Sequence, residues 1–107
     1  MTYKSQADIL CGIVARSKDM TSATVRITAW LIGVAELTNG YPVEVSYRQV
    51  RDGLTIYGKT FAGTGSRLET IKLAFEWLGG RGYLTSENNS TKKAFGYAPR
   101  QYTLDLK

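Results

Sequence analysis

Histidine is absent from the 107 residues, and cysteine occurs once, at Cys11. Without His there is no imidazole for acid/base work near neutral pH, and no metal site that needs imidazole can form. One Cys makes neither an internal disulfide nor a Cys-rich zinc site, and it suits a reducing cytosol. Long apolar runs are also missing. The most hydrophobic stretch, 23–37, carries Arg26 and is too short to span a bilayer. The opening Met1-Thr-Tyr-Lys-Ser-Gln-Ala-Asp8 lacks the basic-then-apolar layout of a signal peptide. No internal repeat or linker divides the chain, and no two acids are brought together by sequence in a way that suggests a cleft. These absences predict one soluble, cytoplasmic domain over 1–107 with no membrane association, no catalytic constellation, no cofactor and no metal.

What is present is an ordinary globular composition, 43% apolar and 21% charged, enough for one modest core. The net charge is +5 and unevenly placed. Up to Glu44, four basic residues (Lys4, Arg16, Lys18, Arg26) balance four acidic ones (Asp8, Asp19, Glu36, Glu44). From Val45 onward ten basic residues face five acidic ones. Such an asymmetry suggests that one end meets a polyanion; a solvated basic surface is the other reading.

Ser5 caps and Asp8 favours the first turn of a helix over 6–17, with Ile9, Leu10, Ile13 and Val14 at helical spacing. Cys11 falls within it as a small core or near-core residue. Thr21 or Ser22 caps a second helix reaching about 38. Its apolar positions (Val25, Ala29, Ile32 and Ala35, with Trp30, Leu31, Val34 and Leu37) cover most of the circumference. A helix of that kind is central to a fold or shared with a partner subunit, so homodimerisation through the N-terminal helices is expected. Asn39-Gly40 is a stop, and 41–45 is extended, with Pro42 turning Tyr41 away from helix. Ser46 caps a short helix over 47–52 closed by Gly53. The connection 54–65 has room for a small strand or an ordered loop.

Ser66-Arg67-Leu68-Glu69 has the S-x-x-E form of a capping box. Leu68, Ile71, Phe75 and Leu78, with Ala74 alongside, mark one face of the helix it opens, and Gly79-Gly80 is its stop. A strand over 82–86, a polar tip at 88–93 and a returning strand over 100–106 complete the chain, with Tyr102, Leu104 and Leu106 on one face.

Gly53-Leu-Thr-Ile-Tyr-Gly58-Lys59-Thr60 matches the phosphate-binding pattern G-x-x-x-x-G-K-[ST] letter for letter. The chemistry needs a buried strand before the loop, a helix opening at the Lys and backbone amides free to wrap phosphate. Here a short polar helix precedes, bulky Leu54, Ile56 and Tyr57 fill the loop, and Phe61-Ala62-Gly63 follows. The match is read as a coincidence.

The run from helix through Trp77-Leu78-Gly79-Gly80-Arg81-Gly82-Tyr83-Leu84 into a β-hairpin resembles the winged helix-turn-helix family over about 23–106. The other residues carrying the resemblance are Ser46-Tyr47-Arg48-Gln49-Val50, Gly65-Ser66-Arg67-Leu68-Glu69-Thr70-Ile71 and Pro99-Arg100-Gln101-Tyr102-Thr103-Leu104. The stretches Trp77–Leu84 and Pro99–Leu104 are most similar to small plasmid and phage regulators or replication proteins. The twelve residues of 54–65 are a departure, because most members turn there in three or four.

The resemblance implies an α+β, mostly helical fold, a winged helix-turn-helix with an extra N-terminal helix and connection (5–22) and a C-terminal hairpin wing. It also implies binding to double-stranded DNA. The helix at 66–79 would enter the major groove, with Ser66, Arg67, Thr70 and Leu73 as readers: Arg67 toward guanine and Leu73 on a thymine methyl. The wing at 86–100 would lie on the backbone through Lys92, Lys93 and Arg100, and Arg48, Arg51 and Lys59 would meet flanking phosphates. Against this, Glu69 and Glu76 make the helix face nearly neutral, which also fits a solvated face or a protein contact through Leu73 and Trp77. The basic tip also fits a plain polar turn. Among the seven Tyr, Tyr83 and Tyr102 face the core, while Tyr47 and Tyr57 are left open to single-strand stacking. The role expected is a small transcriptional repressor, with a replication accessory protein, a protein-docking module or an inhibitor as alternatives.

Overall fold

The structure, a computed structural model, describes residues 6–87 and 100–105. The Ser5 cap, the loop tip at 88–93 with Lys92 and Lys93, and Leu106 lie outside the described residues.

Helix α1 (Gln6–Arg16) carries Asp8 in its first turn and buries Leu10 and Ile13, while Val14 is exposed. Cys11 is exposed, contrary to its expected near-core place. Successive residues of a helix are about 100° apart, so a face set by Leu10 and Ile13 turns residue 11 toward solvent.

Helix α2 (Ser22–Leu37) starts at Thr21, whose hydroxyl accepts from the Thr24 amide at 3.1 Å. It ends in a Schellman arrangement: the Gly40 amide reaches back to the Ala35 carbonyl at 2.7 Å, with Asn39 at φ 64°. Ile27, Leu31 and Val34 are fully buried and Trp30, Ile32 and Ala35 nearly so. The hydroxyl of buried Thr28 donates to the Thr24 carbonyl at 2.7 Å, which removes the penalty of burying it. Most of the apolar circumference packs within the chain, against α1, strand β1 (Val43–Val45) and the later elements, while Ala29 is exposed and Val25 and Leu37 are half-buried.

Helix α3 (Tyr47–Asp52) opens with a complete capping box: the Ser46 hydroxyl accepts from the Gln49 amide, and the Gln49 side chain accepts from the Ser46 amide at 2.9 Å. The connection that follows is a hairpin, β2 (Gly53–Ile56) and β3 (Lys59–Ala62), with Leu54 paired to Phe61 and Thr55 to Thr60. Phe61 lies over α2, its ring 5.6 Å from that of Trp30 and directly above Gly33. The Trp30 indole N–H donates to the Ala62 carbonyl at 2.7 Å.

Helix α4 (Leu68–Gly80) starts at Arg67, with no side-chain cap, so the capping box expected at Ser66 and Glu69 does not form. The preceding loop is fastened to the end of α3 instead. Thr64 and Gly65 donate their amides to the Val50 and Arg51 carbonyls, and the Ser66 amide donates to the Thr64 hydroxyl at 3.2 Å. That anchoring puts Ser66 one residue before the cap position. Ile71, Ala74, Phe75 and Leu78 are buried and Leu68 half-buried, the face the apolar spacing predicts. The glycine pair does not end the helix, which runs through both to Arg81. The Tyr83 amide bonds the Leu78 carbonyl at 2.9 Å and the Gly82 amide that of Gly79 at 3.1 Å, with Gly82 at φ 79°. Gly82 is therefore the glycine that stops α4.

Strands β4 (Leu84–Glu87) and β5 (Arg100–Leu104) start and end within a few residues of expectation. They join β1 in an antiparallel sheet of order β1-β5-β4, in which Val43 pairs Tyr102 and Leu84 pairs Leu104. Val43, Val45, Tyr102, Leu104 and Leu84 turn inward onto α4 and α2. The architecture is α+β, with about half of the described residues helical and two small antiparallel sheets.

Candidate functional site

Helix α4 is held by its buried face, so its outer face is fixed in direction. Arg67, Glu69, Lys72, Leu73 and Glu76 are exposed, Ser66 and Thr70 half-buried. Leu73, 59% exposed, is the one large apolar side chain α4 presents to solvent. Arg67, Thr70 and Leu73 recur every three residues along the first two turns, so they share one stripe. Lys72 and Arg67 balance Glu69 and Glu76, and the stripe carries little net charge.

The end of α3 abuts the start of α4 through the Thr64 and Gly65 bonds. A Cβ at Gly63 would collide with the Arg51 carbonyl and the Gly53 amide nitrogen, so this junction closes only around glycine. Arg48 is exposed on α3. Arg51 makes a two-pronged pair with its neighbour, Nε to Asp52 Oδ1 at 2.8 Å and Nη2 to Oδ2 at 2.9 Å. This pairing holds the Asp52 carboxyl below its ordinary range. The Arg51 charge is thus met inside the chain.

The β2–β3 hairpin leaves from this same junction. Its two-residue turn is Tyr57-Gly58, both with positive φ (53° and 78°), as a type I′ turn requires. Asn, Asp or Gly hold that conformation with little strain; a bulky side chain there costs on the order of 1 kcal/mol. Tyr57 is nevertheless 80% exposed. Lys59 is exposed beside it. The eight residues matching a phosphate loop are this hairpin, with their backbone groups paired across the ladder and no helix opening at Lys59.

Arg100 begins β5, opposite Val45 at the end of β1. It is half-buried and lines a cavity of about 170 Å³ with Tyr47, Phe75, Glu76, Ser86 and Tyr102. Tyr47 and Tyr102 stand edge-on to the Phe75 ring at 5.1 and 4.9 Å. Burial raises both phenols, that of Tyr102 to about 12. Arg100 therefore sits where the start of α3, the second half of α4 and the sheet meet.

The chain matches no protein-family model, no curated protein sequence and no solved structure.

The sequence-predicted residues fall into three described groups: Ser66, Arg67, Thr70 and Leu73 on α4; Arg48, Arg51 and Lys59 around the α3 end and hairpin; and Arg100 at the sheet. A cluster that sequence reasoning missed ties the turn before α2 to the far end of α4. Asp19 accepts from the Trp77 indole N–H at 3.0 Å and pairs with Arg81, whose guanidinium stacks 4.7 Å from the Trp77 ring. The indole hydrogen bond, helped by Arg81, holds the Asp19 carboxyl low. Trp77 is engaged inside the chain, half-buried against Tyr83, which leaves Leu73 as the exposed apolar residue of that face. Asp19 and Trp77 are 58 positions apart, and no local signal marks this contact.

Proposed function

We propose that this protein is a winged helix-turn-helix that binds double-stranded DNA, acting as a small transcriptional repressor of plasmid or phage type. The observation that carries the reading is topological. Three helices (α2, α3, α4) are separated by β1 after the first and by the β2–β3 hairpin after the second, and the chain closes with two strands that join β1 in the order β1-β5-β4. In that layout α4 is the recognition helix, and its outward stripe of Arg67, Thr70 and Leu73 is the base-reading edge. The segment between β4 and β5 corresponds to the wing, and Lys92 and Lys93 within it, outside the described residues, are its proposed phosphate contacts. The charge balance supports the same division: the sequence from Val45 onward holds the whole net positive charge. Affinity then comes from the wing and flanking cations, while the nearly neutral helix supplies selectivity.

Homodimerisation through the N-terminal helices belongs to this proposal. With most of the apolar face of α2 buried, the large apolar side chain left exposed on α1 is Val14, so the dimer expected is weak alone and strengthened on a two-fold DNA site. A replication accessory role uses the same surface. A protein-docking role, by contrast, would centre on Leu73.

Fluorescence anisotropy with mixed-sequence duplex at about 50 and 200 mM salt tests the proposal, comparing wild type with Lys92→Ala/Lys93→Ala. The expected result is affinity that falls steeply with salt and a slope shallower by nearly two ions in the variant. Absence of binding at low micromolar protein in the lower salt would overturn it and favour docking through Leu73.

A further inference from the structure

The β2–β3 hairpin lengthens a connection that needs only a few residues to join α3 to α4, and it is built as a rigid projection. Its base is fixed at three points: Phe61 above Gly33, the Trp30 indole on the Ala62 carbonyl, and Gly63 wedged against the Arg51 carbonyl. Leu54 and Ile56 pack on the core, and the Thr55–Thr60 pair faces solvent. At the far end an aromatic ring stands 80% exposed on a backbone that disfavours it. Stability alone would select Asn or Gly at that position. A strained, exposed aromatic on a well-anchored arm points to a contact made with another molecule.

Charge selects the kind of molecule. Between Gly53 and Leu68 the charged residues are Lys59 and Arg67, both positive, and no acid interrupts them. The hairpin springs from the same α3–α4 junction that sets the start of α4.

We propose that the hairpin is a second DNA-contacting arm, beside the recognition helix and distinct from the wing. The Tyr57 ring lies against the sugar and base edges of the flanking minor groove, and the Lys59 ammonium meets an adjacent phosphate. This inference rests on the DNA-binding reading of α4 and adds a separate contact to it. Stacking and apolar contact give Tyr57 affinity that depends little on salt, while Lys59 contributes through counterion release.

The test uses full-length protein and the same mixed-sequence duplex, with Tyr57→Asn and Lys59→Ala measured singly, and a single-stranded oligonucleotide of the same length. Tyr57→Asn is expected to weaken duplex binding roughly tenfold at both salt concentrations, equivalent to about 1.4 kcal/mol. It is also expected to raise the thermal midpoint, because Asn relaxes the turn. Higher stability with lower affinity is a combination that a purely structural tyrosine does not produce. Lys59→Ala should reduce the salt slope by about one ion. Wild type that binds duplex while both variants match it would overturn the arm and leave the recognition helix standing. A Tyr57→Asn loss confined to the single strand would likewise overturn the duplex assignment. Failure of wild type to bind duplex at all would remove the parent reading, and the arm with it.

Discussion

Gly33→Ala probes the seat of the hairpin on α2. In a helix interior Ala is favoured over Gly by about 0.8–1.0 kcal/mol, so an open site would gain that much. Here a Cβ at position 33 would lie 2.7 Å from Phe61 Cζ and 3.4 Å from Cε1. Relaxed carbon–carbon contacts are about 3.5–4.0 Å, so the ring has to withdraw by close to an ångström. Phe61 is not free to do so without cost, since its strand is bound to Trp30 through the Ala62 carbonyl and its ring packs on the indole. Overpacking of this kind costs about 1–3 kcal/mol, so the net effect is destabilisation by roughly 1 kcal/mol. In a Phe61→Ala background the obstruction is gone, and Gly33→Ala should stabilise by the full helix gain of about 1 kcal/mol. Phe61→Ala alone should cost about 2 kcal/mol, below the 3–5 of a fully buried Phe because the ring is half-exposed. Urea denaturation of the wild type, the two single variants and the double variant yields the coupling, expected at about 2 kcal/mol. Gly33→Ala that stabilises equally in both backgrounds would refute the close approach and, with it, the rigid seating of the arm.

Ser46→Ala should lower stability by about 1 kcal/mol through loss of a capping box, whereas Ser66→Ala should change the urea midpoint by almost nothing, because Ser66 caps no helix; equal losses would contradict the assigned start of α4. Burial raises Tyr41 and Tyr102 from 10.0 to about 12, so the folded state holds these protons more tightly than the unfolded chain. Stability from this source is intact below pH 10 and is lost as pH rises toward 12, so the urea midpoint should fall between pH 10 and 12 and fall less in Tyr102→Phe; an identical decline in the two proteins would count against a buried Tyr102 hydroxyl.

Most of the helical framework was legible because the signals are local. Thr21 and Ser46 are short polar side chains placed to accept from the amide three residues on, and Asn39-Gly40 supplies a left-handed stop. The inward faces of α4 and β5 follow from spacing alone. Local signals also misled where the backbone had a stronger commitment elsewhere. Ser66 and Glu69 have the letters of a capping box, yet the loop before them is bonded to the end of α3, which shifts the cap to Arg67. Gly79-Gly80 reads as a stop, but the 6→1 bond from Tyr83 to Leu78 makes Gly82 the residue that turns the chain.

Of the candidate site, the sequence by itself determined the outward stripe of Arg67, Thr70 and Leu73, because a helix with one apolar face leaves the opposite positions no alternative. It also determined the charge asymmetry, a property of composition and order. Only the tertiary structure decided that the phosphate-loop pattern is a hairpin, that Phe61 and Trp30 seat that hairpin on α2, and that Trp77 is tied to Asp19. The last two depend on groups 28 to 58 positions apart, Gly33 with Phe61 and Asp19 with Trp77 among them. Periodicity and capping act over a few residues and carry no term for such distances; packing does, since the space beside a buried glycine or an indole N–H is filled by whatever segment the fold brings there.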